Sequence, residues 1–148
     1  MIIQKKPPYD RTEIDVGKSQ MDIQQLLLEY GAEGIQWIVV RDGMPRLAFI
    51  VETDIDGKHK KIGVQIEAPL IMKQNKTVNY KQSMRLLFWY VKSKLEAVAY
   101  GAKTFEREFL DDIIYMLPDG RNVKVGDMIT KQISDGKDIN LKMIGEGK

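Results

Sequence analysis

The chain has 148 residues, 43% hydrophobic and 30% charged, which suits one domain with its own core and is too short for two. A net charge of +2, no cysteine and a single histidine exclude a disulfide framework, thiol chemistry and ordinary zinc sites. No run approaches the roughly 18 apolar residues of a membrane span, and MIIQKKPPYD has lysines and prolines where a signal peptide needs an apolar stretch, so a cytoplasmic protein without a membrane partner is expected.

Residues 1–18 contain Pro7, Pro8 and Gly17 with weak patterning and are expected to form an extended arm. A first helix is expected from Ser19 as N-cap, with Asp22 three residues on and Ile23, Leu26, Leu27 and Tyr30 along one face, ending at Gly31. Ile35–Arg41 is apolar on both faces and reads as a central or covered strand. Arg46–Thr53 and Lys60–Ala68 alternate, with Leu47, Phe49, Val51, Ile62, Val64 and Ile66 inward. The turns at Asp42-Gly43 and Asp56-Gly57 make these three an antiparallel meander. Pro69 to Asn79 has no periodicity and reads as a mobile, lysine-bearing loop. A long second helix is expected from Tyr80 to Tyr100, burying Met84, Leu87, Phe88, Val91, Leu95 and Val98. A third is expected from Phe105 to about Ile114, capped by Thr104, and a fourth over Val125–Ser134 after a turn at Pro118-Asp119-Gly120. The expectation is an α+β fold, with an antiparallel sheet of three to five strands and helices mainly on one face. It comprises a single domain over 19–134 and a tail over 135–148.

Charge is concentrated within this frame. Residues 1–57 and 95–120 each carry a net −4, whereas residues 58–94 carry nine Lys/Arg against Glu67 alone, a net +8. Such a block suits a polyanion-binding surface; the plainer reading is a solvated face. Single-stranded nucleic acid needs cations that follow phosphates and flat side chains on which bases stack. Lys58, Lys60, Lys61, Lys73, Lys76, Lys81, Arg85 and Lys92 supply the cations. Trp37 supplies a platform if its strand is an edge. Trp89, one step off the buried stripe and between Arg85 and Lys92, supplies another or else widens the core. Phe49 belongs to the core by alternation. On the outward sheet face Ala48 and Gly63 are small, which suits a ligand groove or a closely packed helix.

Catalytic chemistry has little to work with. No GxGxxG or GxxxxGK[ST] occurs, and any Ser-His-Asp triad would rest on His59 in a turn of lysines. Glu106, Glu108, Asp111 and Asp112 cluster in the third helix, with Glu108 and Asp112 at i, i+4, the raw material of a magnesium-dependent nuclease. The same carboxylates early in a helix are what its dipole favours.

From Arg85 to Val123 the chain resembles a bacteriophage and prophage family whose members carry K-x-K-L-E-A-V-x-x-G-x-x-T-F-E-x-E-F-L followed by L-P-D-G-x-T-V. The matches are Lys92, Lys94, Leu95, Glu96, Ala97, Val98, Gly101, Thr104, Phe105, Glu106, Glu108, Phe109, Leu110, Leu117, Pro118, Asp119, Gly120 and Val123; Asn122 replaces the family's threonine. The family is mostly uncharacterised, so the resemblance implies a phage or prophage origin and no activity. In the order of its elements alone the chain is also similar to the ThermoDBP type of single-stranded DNA-binding protein. That likeness implies a cleft between sheet and helices lined by basic and aromatic groups.

The function expected is therefore non-catalytic binding of single-stranded DNA or RNA by a viral or mobile-element protein, without metal or cofactor. Trp37 and Trp89 would stack bases and the eight cations would hold phosphates. The alternatives are a structural or adaptor protein for a phage or host protein, with apolar residues of the second helix and the tail forming a homodimer or a partner surface, and a metal-dependent nuclease.

Overall fold

The computed structural model describes residues 5–41 and 43–136. The elements run α1 (Val16–Glu29), β1 (Gly34–Ile38), β2 (Arg46–Ile55), β3 (Lys58–Glu67) and α2 (Tyr80–Ala99). They continue with α3 (Phe105–Glu108), a 3-10 turn (Leu110–Asp112), β4 (Ile114–Met116), β5 (Asn122–Lys124) and α4 (Val125–Ser134). The fold is α+β, with an antiparallel sheet ordered β1-β2-β3 and a separate β4-β5 hairpin. The expected tail from residue 137 onward lies outside the described residues.

Alternation places the core. Leu47, Phe49, Ile62, Val64 and Ile66 are buried on one sheet face, beneath Ile23 and Leu27 of α1 and Met84, Leu87, Val91 and Leu95 of α2. Each such side chain contributes about 1.5–3 kcal/mol when fully buried. Phe49 meets Phe105 and Phe109 edge-on, with centroids 6.4 and 5.7 Å apart. The α2 stripe is thus consumed inside the chain. On the other sheet face a side chain at Gly63 would meet nothing within 4 Å, and Ile50 is exposed. The close-packed helix considered for that face does not lie over Gly63.

Both long helices stop in the same way. At Tyr30-Gly31-Ala32 and again at Tyr100-Gly101-Ala102 the glycine turns left-handed (φ +92° and +75°). Its amide and the following one reach back to the carbonyls of Leu28 and Leu27, or of Val98 and Ala97, forming two Schellman stops. Asp56-Gly57 closes β2 and β3 with φ of +50° and +75°, the signs of a type I′ turn.

Three expectations change. Helix α1 starts at Val16 with Asp15 as N-cap, because Ser19 is inside it and fully buried against Arg85. β1 is an edge strand, not a central one; its apolar inner face rests on the core while its other side is exposed only at Gln36. α3 ends at Glu108, since Phe109 leaves the helical backbone (φ −101°, ψ 11°) to enter the core.

Candidate nucleic-acid interface

Helix α2 carries the center of the site. Asn79 starts it by accepting a hydrogen bond from the Gln82 amide. Along one flank come Lys81, Arg85, Trp89 and Lys92, at helical spacings of four, four and three. Trp89 stands 41% exposed. Its indole meets Phe88 edge-on at 5.3 Å and carries the Lys92 ammonium 4.7 Å from its centroid. On it lies Tyr9, with ring planes 9° apart and centroids at 6.2 Å. Trp89 is therefore neither core nor bare.

Arg85, expected to hold a phosphate, is only 6% exposed. Its Nη2 donates to Ser19 Oγ at 3.0 Å and to Asp22 Oδ2 at 3.1 Å, and its guanidinium lies over Phe88. It fastens α1 to α2 and leaves the phosphate set. Hydrogen bonds from Lys18 first and from Arg85 second hold the Asp22 carboxyl below the usual aspartate range.

Trp37 also changes role. It lies on the helix-facing side of β1 opposite Leu47, half-buried against the core, with its Nε1 shielded and unpaired. Its ring is not among the neighbors of Trp89, so the two tryptophans do not form one platform.

The basic block divides. Lys73 and Lys76 lie just before α2 in a small hydrogen-bonded hairpin, not a structureless loop. Met72 bridges Val78, the Lys73 amide donates to the Thr77 carbonyl, and Asn75 Oδ1 accepts from Thr77. Lys58, Lys60 and Lys61 sit at the tip of β2-β3. Leu95 and Val98 border Val51 and Thr53, whereas Leu86 and Leu87 border Ile66 and Pro69, so that tip lies toward the C-terminal end of α2. The 20 residues of α2 span about 30 Å, which separates the two groups of lysines.

Among the described residues each group mixes paired and unpaired cations. Lys61 pairs with Glu33 at 3.3 Å and Glu52 at 3.5 Å. Both nitrogens of His59 bond carboxylates, Glu52 at 2.8 Å and Asp54 at 3.0 Å, which favours the protonated imidazole and raises its pKa. Lys81 faces Glu13 and Asp15, and Lys92 faces Glu96. Among the described residues Lys58, Lys60, Lys73 and Lys76 make no ion pair within 4.0 Å.

The acidic cluster is dismantled by the end of α3. Glu108 goes to Lys94 at 3.5 Å, and Asp112 to Lys124 at 3.0 Å. Among the described residues no group of three or more His, Asp or Glu is placed to hold a metal ion. The segment from Lys92 to Val123 is packed the same way. Lys94 also donates to the Glu108 carbonyl and lies over the Tyr90 and Phe109 rings, Gly101 ends α2, and Leu117 to Arg121 form the turn.

No protein-family model, curated protein or solved structure matches the chain. Among the described residues no helix is long and apolar enough to cross a membrane.

Sequence reasoning missed Tyr9 and Gln82. Gln82 Nε2 donates to the carbonyls of Pro7 and Pro8 at 3.3 and 2.9 Å, and Asn79 Nδ2 to that of Asp10 at 3.5 Å. The signal available was an aromatic in a proline-rich arm, which periodicity does not register.

Proposed function

We infer that the chain is a non-catalytic binder of single-stranded nucleic acid, of viral or mobile-element origin, with its site on α2. The observation that carries this is Trp89, a half-exposed indole flanked by Lys92 on a helix whose neighboring hairpin holds Lys73 and Lys76, unpaired among the described residues. Base stacking on such a ring contributes roughly 1–3 kcal/mol, and the lysines supply the non-specific phosphate attraction. Lys81 completes the site. The phage-type segment supports the origin and is silent on the ligand.

The test is fluorescence anisotropy with labelled single-stranded DNA, RNA and duplex at low salt. Single strands should bind in preference to duplex. Trp89→Ala should lower single-strand affinity by roughly 1–3 kcal/mol with little change in melting temperature. Preference for duplex would remove the stacking model, and absence of binding to all three would end the reading.

A second reading, an adaptor surface, draws on α4 and β4, where Ile129, Ile133, Tyr115 and Met116 are exposed. Light scattering of the protein alone tests it: a concentration-independent monomer removes self-association.

A further inference from the structure

We propose that the segment from Pro7 to Asp15 is a built-in competitor for the α2 site, which single-stranded nucleic acid must displace. The proposal rests on the nucleic-acid reading above and adds to it the regulation of that site.

The arm presents to α2 the groups that a strand would present. Tyr9 lies parallel to Trp89 in the position of a stacked base. The carboxylates of Glu13 and Asp15 approach Lys81 Nζ at 3.8 and 3.6 Å, as phosphate oxygens would. Backbone carbonyls of Pro7, Pro8 and Asp10 accept the side-chain donors of Gln82 and Asn79. One aromatic ring, two anions and three acceptors thus take up the stacking face and a cation of the site.

The contacts are of an exchangeable kind. Residues 5–11 are all exposed, and Tyr9 is held at φ +67°, a left-handed conformation that a tyrosine rarely adopts. The ion pairs to Lys81 are solvent-exposed and therefore weak. Release leaves the fold intact, because α1 is fastened further along by the buried bonds of Arg85 to Ser19 and Asp22. The arm is thus tied at one end to a fixed helix and held by weak contacts at the other.

A site available for only a fraction of the time binds with an apparent affinity reduced by that fraction. Weakening the arm should therefore tighten nucleic-acid binding. The experiment uses the 148-residue chain and its Tyr9→Ser variant, which leaves net charge unchanged, with labelled oligothymidylate in the anisotropy assay. Amide hydrogen exchange is followed in parallel. The variant should bind about three- to tenfold more tightly. In the wild-type chain, saturating oligonucleotide should speed exchange at the Thr12 amide, which bonds the Tyr9 carbonyl in the docked arm. Equal affinity of the two proteins, with binding intact, overturns the competitor and leaves the site standing. Weaker binding by the variant makes Tyr9 part of the binding surface and also overturns it. If neither protein binds, the nucleic-acid reading itself has failed and the competitor falls with it.

Discussion

At the scale of single residues, neighbors decide what a charged group can do. Arg85 and Lys92 flank the same indole in sequence, yet Arg85 is spent on Ser19 and Asp22 while Lys92 stays at the surface over the ring. His59 is the clearest titratable case, being the single histidine and bonded through both nitrogens to carboxylates. Hydrogen bonds to Glu52 and then Asp54 raise its pKa above the ordinary 6.5. The unfolded chain lacks this gain, so the contribution to stability is complete below pH 6.5 and is lost as pH rises through the folded value. A proton NMR titration of the lone imidazole should give a midpoint above 6.5, moving back toward it in Glu52→Gln. A wild-type midpoint at or below 6.5 would mean that neither carboxylate holds the ring.

Elements were legible where periodicity and turn chemistry agreed. Alternation along Leu47-Phe49-Val51 and Ile62-Val64-Ile66 named the inner sheet face, and Gly31 marked where α1 ends. The end of α3 was not legible. Residues 105–114 contain no helix breaker, and the break comes from Phe109 turning to meet Phe49 while Lys94 takes the Glu108 carbonyl. Both partners are remote in sequence, which defeats a local reading. The same holds for Ser19, whose capping signature is genuine but whose hydroxyl is claimed by Arg85, 66 residues away. The candidate site was half legible: Trp89 and Lys92 follow from helical spacing, whereas Tyr9 sits in a segment with no period. The small hairpin from Met72 to Val78 also escaped, because Asn75 and a left-handed Lys76 make its turn without the usual glycine.

Over the whole molecule, the basic block proves to be two groups. Lysines adjacent in sequence part company because β3 carries one set to the hairpin tip and the return to α2 leaves the other near its start. The salt dependence of binding distinguishes use of one group from use of both. Each phosphate contact on a single strand contributes about 0.7 to the slope of log affinity against log salt. A strand held by Lys73, Lys76, Lys81 and Lys92 should give a slope of about −3, and one that also reaches Lys58, Lys60 and Lys61 a slope of about −5. Because the length of α2 separates the two groups, the shallower value is expected. A slope near −5 that falls to about −3.5 in Lys58→Ala/Lys60→Ala would put both groups on the strand.

The Asp56-Gly57 turn bears on the order in which the chain folds. It joins ten consecutive residue pairs, from Arg46↔Glu67 to Ile55↔Lys58, using only local chain reversal. Isolated hairpins form in about 1–10 μs, well before contacts of long sequence separation gather. Strands β2 and β3 should therefore be paired in the transition state, with Tyr9 and the rest of the arm docking after it. Gly57→Ala strains the backbone at φ +75° and tests the order directly. In stopped-flow chevrons it should slow refolding and leave the unfolding rate nearly unchanged, a φ-value near 1. If the whole loss of stability appears instead as faster unfolding, the hairpin closes late and folding nucleates on the α1–α2 contact sealed by Arg85.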